Sequence, residues 1–129
     1  GSGSLRRLLE AHVGELVVPR SDWSRRVADL LVAAGLPRPR FEHRVSDGHG
    51  FVAELDLAFP DVCLGLELDS VAWHLDRVSF ERDARRRNRL ENLGWSIRNF
   101  TWSDYADHPD RLIGTVVDAY SLLRSRMAS

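Results

Sequence analysis

The stretch from Phe51 to Asp69, FVAELDLAFPDVCLGLELD, restricts what this chain can fold into more than any other. Apolar and polar residues alternate on both sides of Pro60-Asp61, the pattern of two strands joined by a turn. A turn at that dipeptide sets Phe59 across from Val62, Leu57 across from Leu64 and Asp56 across from Gly65. Side chains alternate between the faces of a strand. One face then carries Leu55, Leu57, Phe59, Val62, Leu64, Leu66 and Leu68. The other carries Glu54, Asp56, Cys63, Gly65, Glu67 and Asp69. Such a hairpin is apolar on one side and a cluster of carboxylates on the other. Carboxylates that close raise one another's pKa and oppose folding unless a cation or water satisfies them. Hard oxygen donors converging on one patch suit magnesium, which takes one or two carboxylates and completes its shell with water and phosphate oxygens.

Length permits one compact domain: 129 residues can bury a proper core. Residues 1–4, Gly-Ser-Gly-Ser, read as a cloning scar. With a short appended helix at Leu5–His12 they make up residues 1–20, and residues 21–129 form the domain. A hydrophobic content of 43% with 29% charged residues is that of a soluble globular chain. No apolar run nears the roughly 20 residues that span a bilayer. With no signal-peptide pattern, a cytoplasmic location away from membranes is expected. The single cysteine, Cys63, excludes an internal disulfide and reads as a small packing residue in a strand. The net charge of −1 selects no partner, but its distribution does. All 18 basic residues are arginine. Six of them fall between Arg77 and Arg89, next to the carboxylate-rich Glu54–Asp69. A basic stretch beside an acidic cluster fits a nuclease better than a DNA-coating protein.

Along the chain, Ser21 is a candidate N-cap for a helix in which Trp23, Val27, Leu30 and Leu31 recur at helical spacing up to Gly35. Phe41–Val45 reads as a strand, Ser46–Gly50 as a turn, and the hairpin follows. Ser70–Val78 is a loop holding Trp73 and His74. A charged helix from Ser79 to about Asn92 has Phe80, Ala84, Leu90 and Leu93 as its narrow apolar stripe. Trp95–Thr101 is a strand and Ser103–Pro109 a turn or single helical loop. Asp110–Arg126 is a helix buried through Leu112, Ile113, Val116, Val117, Tyr120 and Leu123. Trp23 and Trp95 belong to the core, and so by the simpler reading do Trp73 and Trp102. The order predicts an α/β (α+β) domain: a mixed sheet, flanked by helices, in which the charged helix crosses over to the last strand.

Three segments together resemble a known family. They are ELDLAFP, then LGLELDS with a histidine seven positions after Glu67, then FERDARRRNRLENLGWSIRNFTW. Over about residues 21–126 the pattern is similar to the endonuclease-like domains related to very-short-patch-repair (Vsr-like) endonucleases, in the PD-(D/E)XK superfamily. The resemblance implies a restriction-endonuclease-like sheet, a magnesium-dependent site on the hairpin, with manganese able to substitute, and DNA as the ligand. Asp56 matches the metal-binding aspartate and Glu67 the second acid. Asp69 stands where the wider superfamily has lysine, and His74 matches a histidine of this branch. Ser70 replaces a glycine usual after Glu-x-Asp, and Ser24 stands where the first helix often carries a glutamate.

Phosphodiester hydrolysis needs an activated water attacking in line and a cation on the phosphoryl oxygens. The resemblance casts Asp56, Glu67 and the Leu68 carbonyl as metal ligands, Asp69 as a further acid, and His74 as general acid or base. Gly65, expected opposite Asp56, would leave room for the ion. Arg82, Arg85, Arg86 and Arg89, at i, i+3, i+4 and i+7, share a helix face suited to DNA phosphates. The bland alternative is a solvated face, with Arg86 and Asp83 holding the helix in place. A second functional reading is a catalytically impaired nuclease-fold module that binds DNA or a protein partner, in a regulatory or antitoxin-like role beside an upstream domain.

Overall fold

The computed structural model describes residues 19–69 and 77–128. The expected helix at Leu5–His12 and the loop with Ser70, Trp73 and His74 lie outside the described residues. The elements are α1 (Arg20–Ala33), β1 (Arg40–Asp47), β2 (Gly50–Phe59), β3 (Leu64–Asp69), α2 (Arg77–Asn92), β4 (Ser96–Thr101), α3 (Trp102–Asp107) and α4 (Pro109–Met127). The four strands form one sheet in chain order. The first two pairings are antiparallel, and β3–β4, bridged by α2, is parallel. The domain is therefore α+β, a mixed sheet flanked by helices. Among the described residues no helix is long and apolar enough to cross a membrane.

One face of the sheet holds the larger core. Leu57, Phe59, Leu64, Leu66, Leu68 and Phe100 meet Trp23, Val27 and Leu31 of α1 and Leu112, Val116 and Tyr120 of α4. Each such side chain, taken from water, contributes about 1.5–3 kcal/mol. Trp102, expected in the core, is there, edge-on to Trp23 at 5.5 Å. The opposite face holds a smaller cluster under α2: Val45, Val52, Ala53, Leu55, Ala58, Leu90 and Trp95. Of the apolar stripe expected on α2, only Leu90 is buried, whereas Phe80 is 69% exposed.

Helix ends follow local chemistry. Gly35 and Gly94 take φ of +102° and +88°. Each closes its helix with paired bonds, Leu36 N–H to Leu31 C=O and Trp95 N–H to Leu90 C=O among them, the left-handed stop that glycine makes easy. Ser21 is not the N-cap: α1 begins one residue earlier, behind Pro19 and without a side-chain cap. Thr101 caps α3 instead, exchanging bonds with Asp104. Of the turn or single helical loop expected at Ser103–Pro109, the segment takes the helical form, beginning at Trp102.

The hairpin is built differently from the expected one. Phe59 pairs with Leu64, Ala58 with Gly65 and Leu57 with Leu66. The turn spans four residues, 60–63, with Cys63 at φ +53°. Two-residue hairpin turns need positive φ at a central position, at the first one in both favoured types. Pro60 is locked near −65°, so the chain needs a longer loop, and Cys63 sits in that turn rather than in a strand. The shift is by two positions, so the faces near the turn are preserved. Extended one step beyond Leu57–Leu66, the same register sets Asp56 across from Glu67.

Alternation breaks further along β2. Glu42, the β1 residue that faces Asp56 by register, has φ +49° and drops out of the pairing between Phe41–Leu57 and His43–Leu55. Across this irregularity the faces exchange. Leu57 belongs to the core under α1 and α4, but Leu55 belongs to the cluster under α2. The expected single row of leucines is therefore split at Asp56.

Candidate active site

Asp56 leaves β2 where the β2–β3 ladder stops. Its Oδ2 accepts the Leu68 N–H at 2.7 Å, so the carboxylate takes the place of the missing strand partner. Glu67 comes from the middle of β3 and lies beside Asn99 of β4 by register. Asp56, Glu67 and Asp69, with Glu54, border one cleft of about 430 Å³. Helix α2 forms its other wall through Phe80, Asp83, Ala84 and Arg86, among others. The expected carboxylates of adjacent strands thus converge on one opening.

Gly65 does not serve the cleft as expected. It lies opposite Ala58, and a Cβ there would meet Leu55 Cδ1 at 2.7 Å and Ile97 Cδ1 at 2.8 Å. Both are shorter than a real Cβ contact, so a larger residue there would push the ends of the Leu55 and Ile97 side chains aside. The space over Gly65 is filled with hydrocarbon.

Two arginines stand at the acids. Arg86 Nη2 lies 2.6 Å from Glu67 Oε1, and Arg20 Nη1 lies 3.6 Å from Asp56 Oδ1. The first contact is a charge contact without hydrogen-bond alignment, which among the described residues leaves the buried Oε1 with no aligned donor. Burial pushes the Glu67 carboxyl above its ordinary range. Arg86 pulls it back, and Asp69 and Asp56 add to the rise. Removing a carboxylate from water costs more here than one imperfect ion pair returns.

The four arginines singled out on α2 divide in two. Arg82 and Arg85 are exposed. Arg86 is turned into the cleft. Arg89 grips Asp47 with two bonds, Nε to Oδ2 at 2.8 Å and Nη2 to Oδ1 at 2.7 Å. That fork drives the Asp47 pKa far below the carboxylate range, and Arg89 rises in turn. Arg89 is therefore committed to clamping α2 onto the β1–β2 turn. Arg20 and Asn99 belong to the cleft although the sequence reading passed them over. Arg20 carried a signal: a cation in the first turn of a helix opposes the helix dipole, and a carboxylate across from it would offset that. Ser24 is buried beside a neighbouring hollow that Arg20, Phe41 and Asp56 also line.

The donor set can be tested against a divalent cation. Among the described residues, no three His, Cys, Asp or Glu side chains come together closely enough to form a ligand group. An ion here would rest on two carboxylates plus backbone and water oxygens, which is how magnesium is commonly held. The buried Glu67 Oε1 without an aligned donor fits that role.

No family model matches the chain, and no solved structure matches it. Two curated proteins from two strains of Mycobacterium tuberculosis, named uncharacterized protein MT2308 and uncharacterized protein Rv2248, are each 32% identical to it over 99 residues. The aligned region is 77% of this chain and 36% of each relative, so the chain spans about a third of the length of the curated relatives it matches.

Proposed function

We propose that this domain is a metal-dependent DNA endonuclease of the PD-(D/E)XK type, related to the very-short-patch-repair branch and acting on cytoplasmic DNA. The observation that carries the reading is the pairing of Asp56 and Glu67 at one cleft, with the Glu67 Oε1 out of water and, among the described residues, facing Arg86 without an aligned donor. Asp56, Glu67 and the Leu68 backbone would hold magnesium or manganese, which supplies Lewis-acid polarisation of the phosphate and lowers the pKa of water. Asp56, fixed by the Leu68 N–H, is oriented before any ligand arrives, which lowers the cost of binding. Arg86 and Arg20 balance the acids and would turn to a substrate phosphate once a cation takes over that task. Asp69 adds negative charge at the rim, and His74 is the proposed general acid or base.

The contacts of Arg20 and Arg86 also favour a second reading. If the two arginines satisfy the acids permanently, the domain is an impaired nuclease fold that binds DNA or a protein partner. Thermal melts of the wild type and Asp56→Asn, with and without magnesium or manganese, separate the two, beside nicking of supercoiled and branched DNA. The nuclease reading expects the ion to stabilise the wild type, by about 2.7 kcal/mol at a hundred times its Kd. It expects a smaller shift in the variant and no nicking by it. A shift without nicking, or neither, favours the second reading.

A further inference from the structure

A second groove, of about 500 Å³, runs between the start of β2 and α2, and Phe51, Arg82 and Arg85 lie along it. Phe51 is 50% exposed, and the backbone makes it so. Val45 pairs with Ala53 but Ser46 pairs with Phe51, so Val52 is an extra residue in β2. Val52 and Ala53 are both buried, at 7% and 2% exposure. Regular alternation from Ala53 would turn Phe51 inward; the bulge resets the alternation and delivers the ring to the surface. There the Arg44 guanidinium lies 4.4 Å from the ring centroid. Arg44 in turn approaches Glu54 at 3.8 Å. Arg82 and Arg85 are exposed on the facing helix, while Asp47 is neutralised by Arg89. Glu54 and Arg86 border both this groove and the acidic cleft, so the two adjoin.

We propose that Phe51 and Arg44 form a stacking platform for an unpaired base, with Arg82 and Arg85 holding the flanking phosphates of a single strand that leads into the acidic cleft. An intact duplex hides the faces of its bases and offers mainly phosphates and edges. An exposed ring backed by a guanidinium gains most from a base with a free π-face, whatever its identity. The inference rests on the nucleic-acid part of the nuclease reading and names the form of the ligand: one strand, read by stacking rather than by base edges.

The test is binding in EDTA, where no cleavage enters. The probes are a labelled single-stranded oligonucleotide, the same strand made abasic, and the duplex. Phe51→Ala should weaken single-strand binding about tenfold or more, spare the abasic strand and the duplex, and leave the melting temperature unchanged. Phe51→Trp should restore binding. Arg85→Ala should weaken both single strands and make the slope of log affinity against log salt shallower by about 0.7. Single-strand binding indifferent to Phe51, an equal loss on the abasic strand, or full displacement by polyglutamate would overturn the platform. A protein that nicks nothing but binds single strands through Phe51 loses the nuclease reading and keeps this one. Cleavage of duplex DNA with Phe51→Ala indistinguishable from wild type in every assay does the reverse.

Discussion

Arg86 and Arg89 leave the same helix three residues apart, and each ends on a carboxylate, yet the two pairs do opposite things. Arg89 meets Asp47 as a fork, with two aligned bonds, and the acid is held far below its ordinary pKa. Arg86 meets Glu67 at one oxygen, without alignment, and the acid stays above its ordinary pKa because burial outweighs the arginine. The difference lies in geometry and solvation, since the residue types are nearly the same. A bidentate pair at the edge of a sheet secures two elements. A buried carboxylate with one imperfect partner retains capacity for another ligand. The first pair is a clamp and the second marks the candidate site.

The largest effect that would break this comparison belongs to Arg86. Arg86→Ala leaves Glu67 buried without a cation and should cost about 2 kcal/mol at neutral pH. That is below the roughly 3–5 kcal/mol of a fully buried pair, because the Arg86 side chain is 28% exposed. Urea unfolding measures it. The loss should shrink in acid, where Glu67 takes up a proton. Manganese should recover more stability in this variant than in the wild type, since a competing charge is gone.

A smaller effect, of opposite sign, is expected from Glu67→Gln. An acid whose folded pKa is raised binds more protons folded than unfolded, so its contribution falls as pH rises through the folded value. Without metal, the variant should be more stable than the wild type at neutral pH, and the gain should vanish as pH drops into the carboxylate range. Urea midpoints across pH check the crossover. If the variant is destabilised at neutral pH, Glu67 is a satisfied structural acid like Asp47.

The smallest effect is expected from Asp47→Asn, whose site lies at the edge of the sheet. Here the folded pKa is depressed, so the contribution is present above the ordinary carboxylate range and lost as pH falls toward the folded value. The variant should be less stable than the wild type at neutral pH, and the two should converge in acid. Matching pH profiles for the Asp47 and Glu67 variants would erase the distinction between the pairs.

Much of this was legible in the residues. Period-two alternation around Leu57 and Leu66 located β2 and β3, and helical spacing from Trp23 to Leu31 located α1, because burying one face is what these patterns are for. The Asp56 and Glu67 carboxylates were legible for the same reason, because a shift of two positions in the register leaves the faces near the turn unchanged. The capping exchange of Thr101 and Asp104 is local chemistry too, but it was not read from the residues, because a six-residue helix is too short for periodicity to reveal.

What the sequence determined by itself was composition and period: an α+β fold, acids on the hairpin and arginines on one helix. Tertiary structure alone decided which arginine meets which acid, because Arg86–Glu67 and Arg89–Asp47 each join a helix to a strand, where no local spacing sets the partner. It also decided the register of the hairpin, through the φ that Pro60 cannot adopt, and the split between Leu55 and Leu57 at left-handed Glu42. A side chain's period says which face it occupies. Only packing against another element says what it finds there, and for Glu67 and Asp47 that made the difference between an acid pushed up and an acid pulled down.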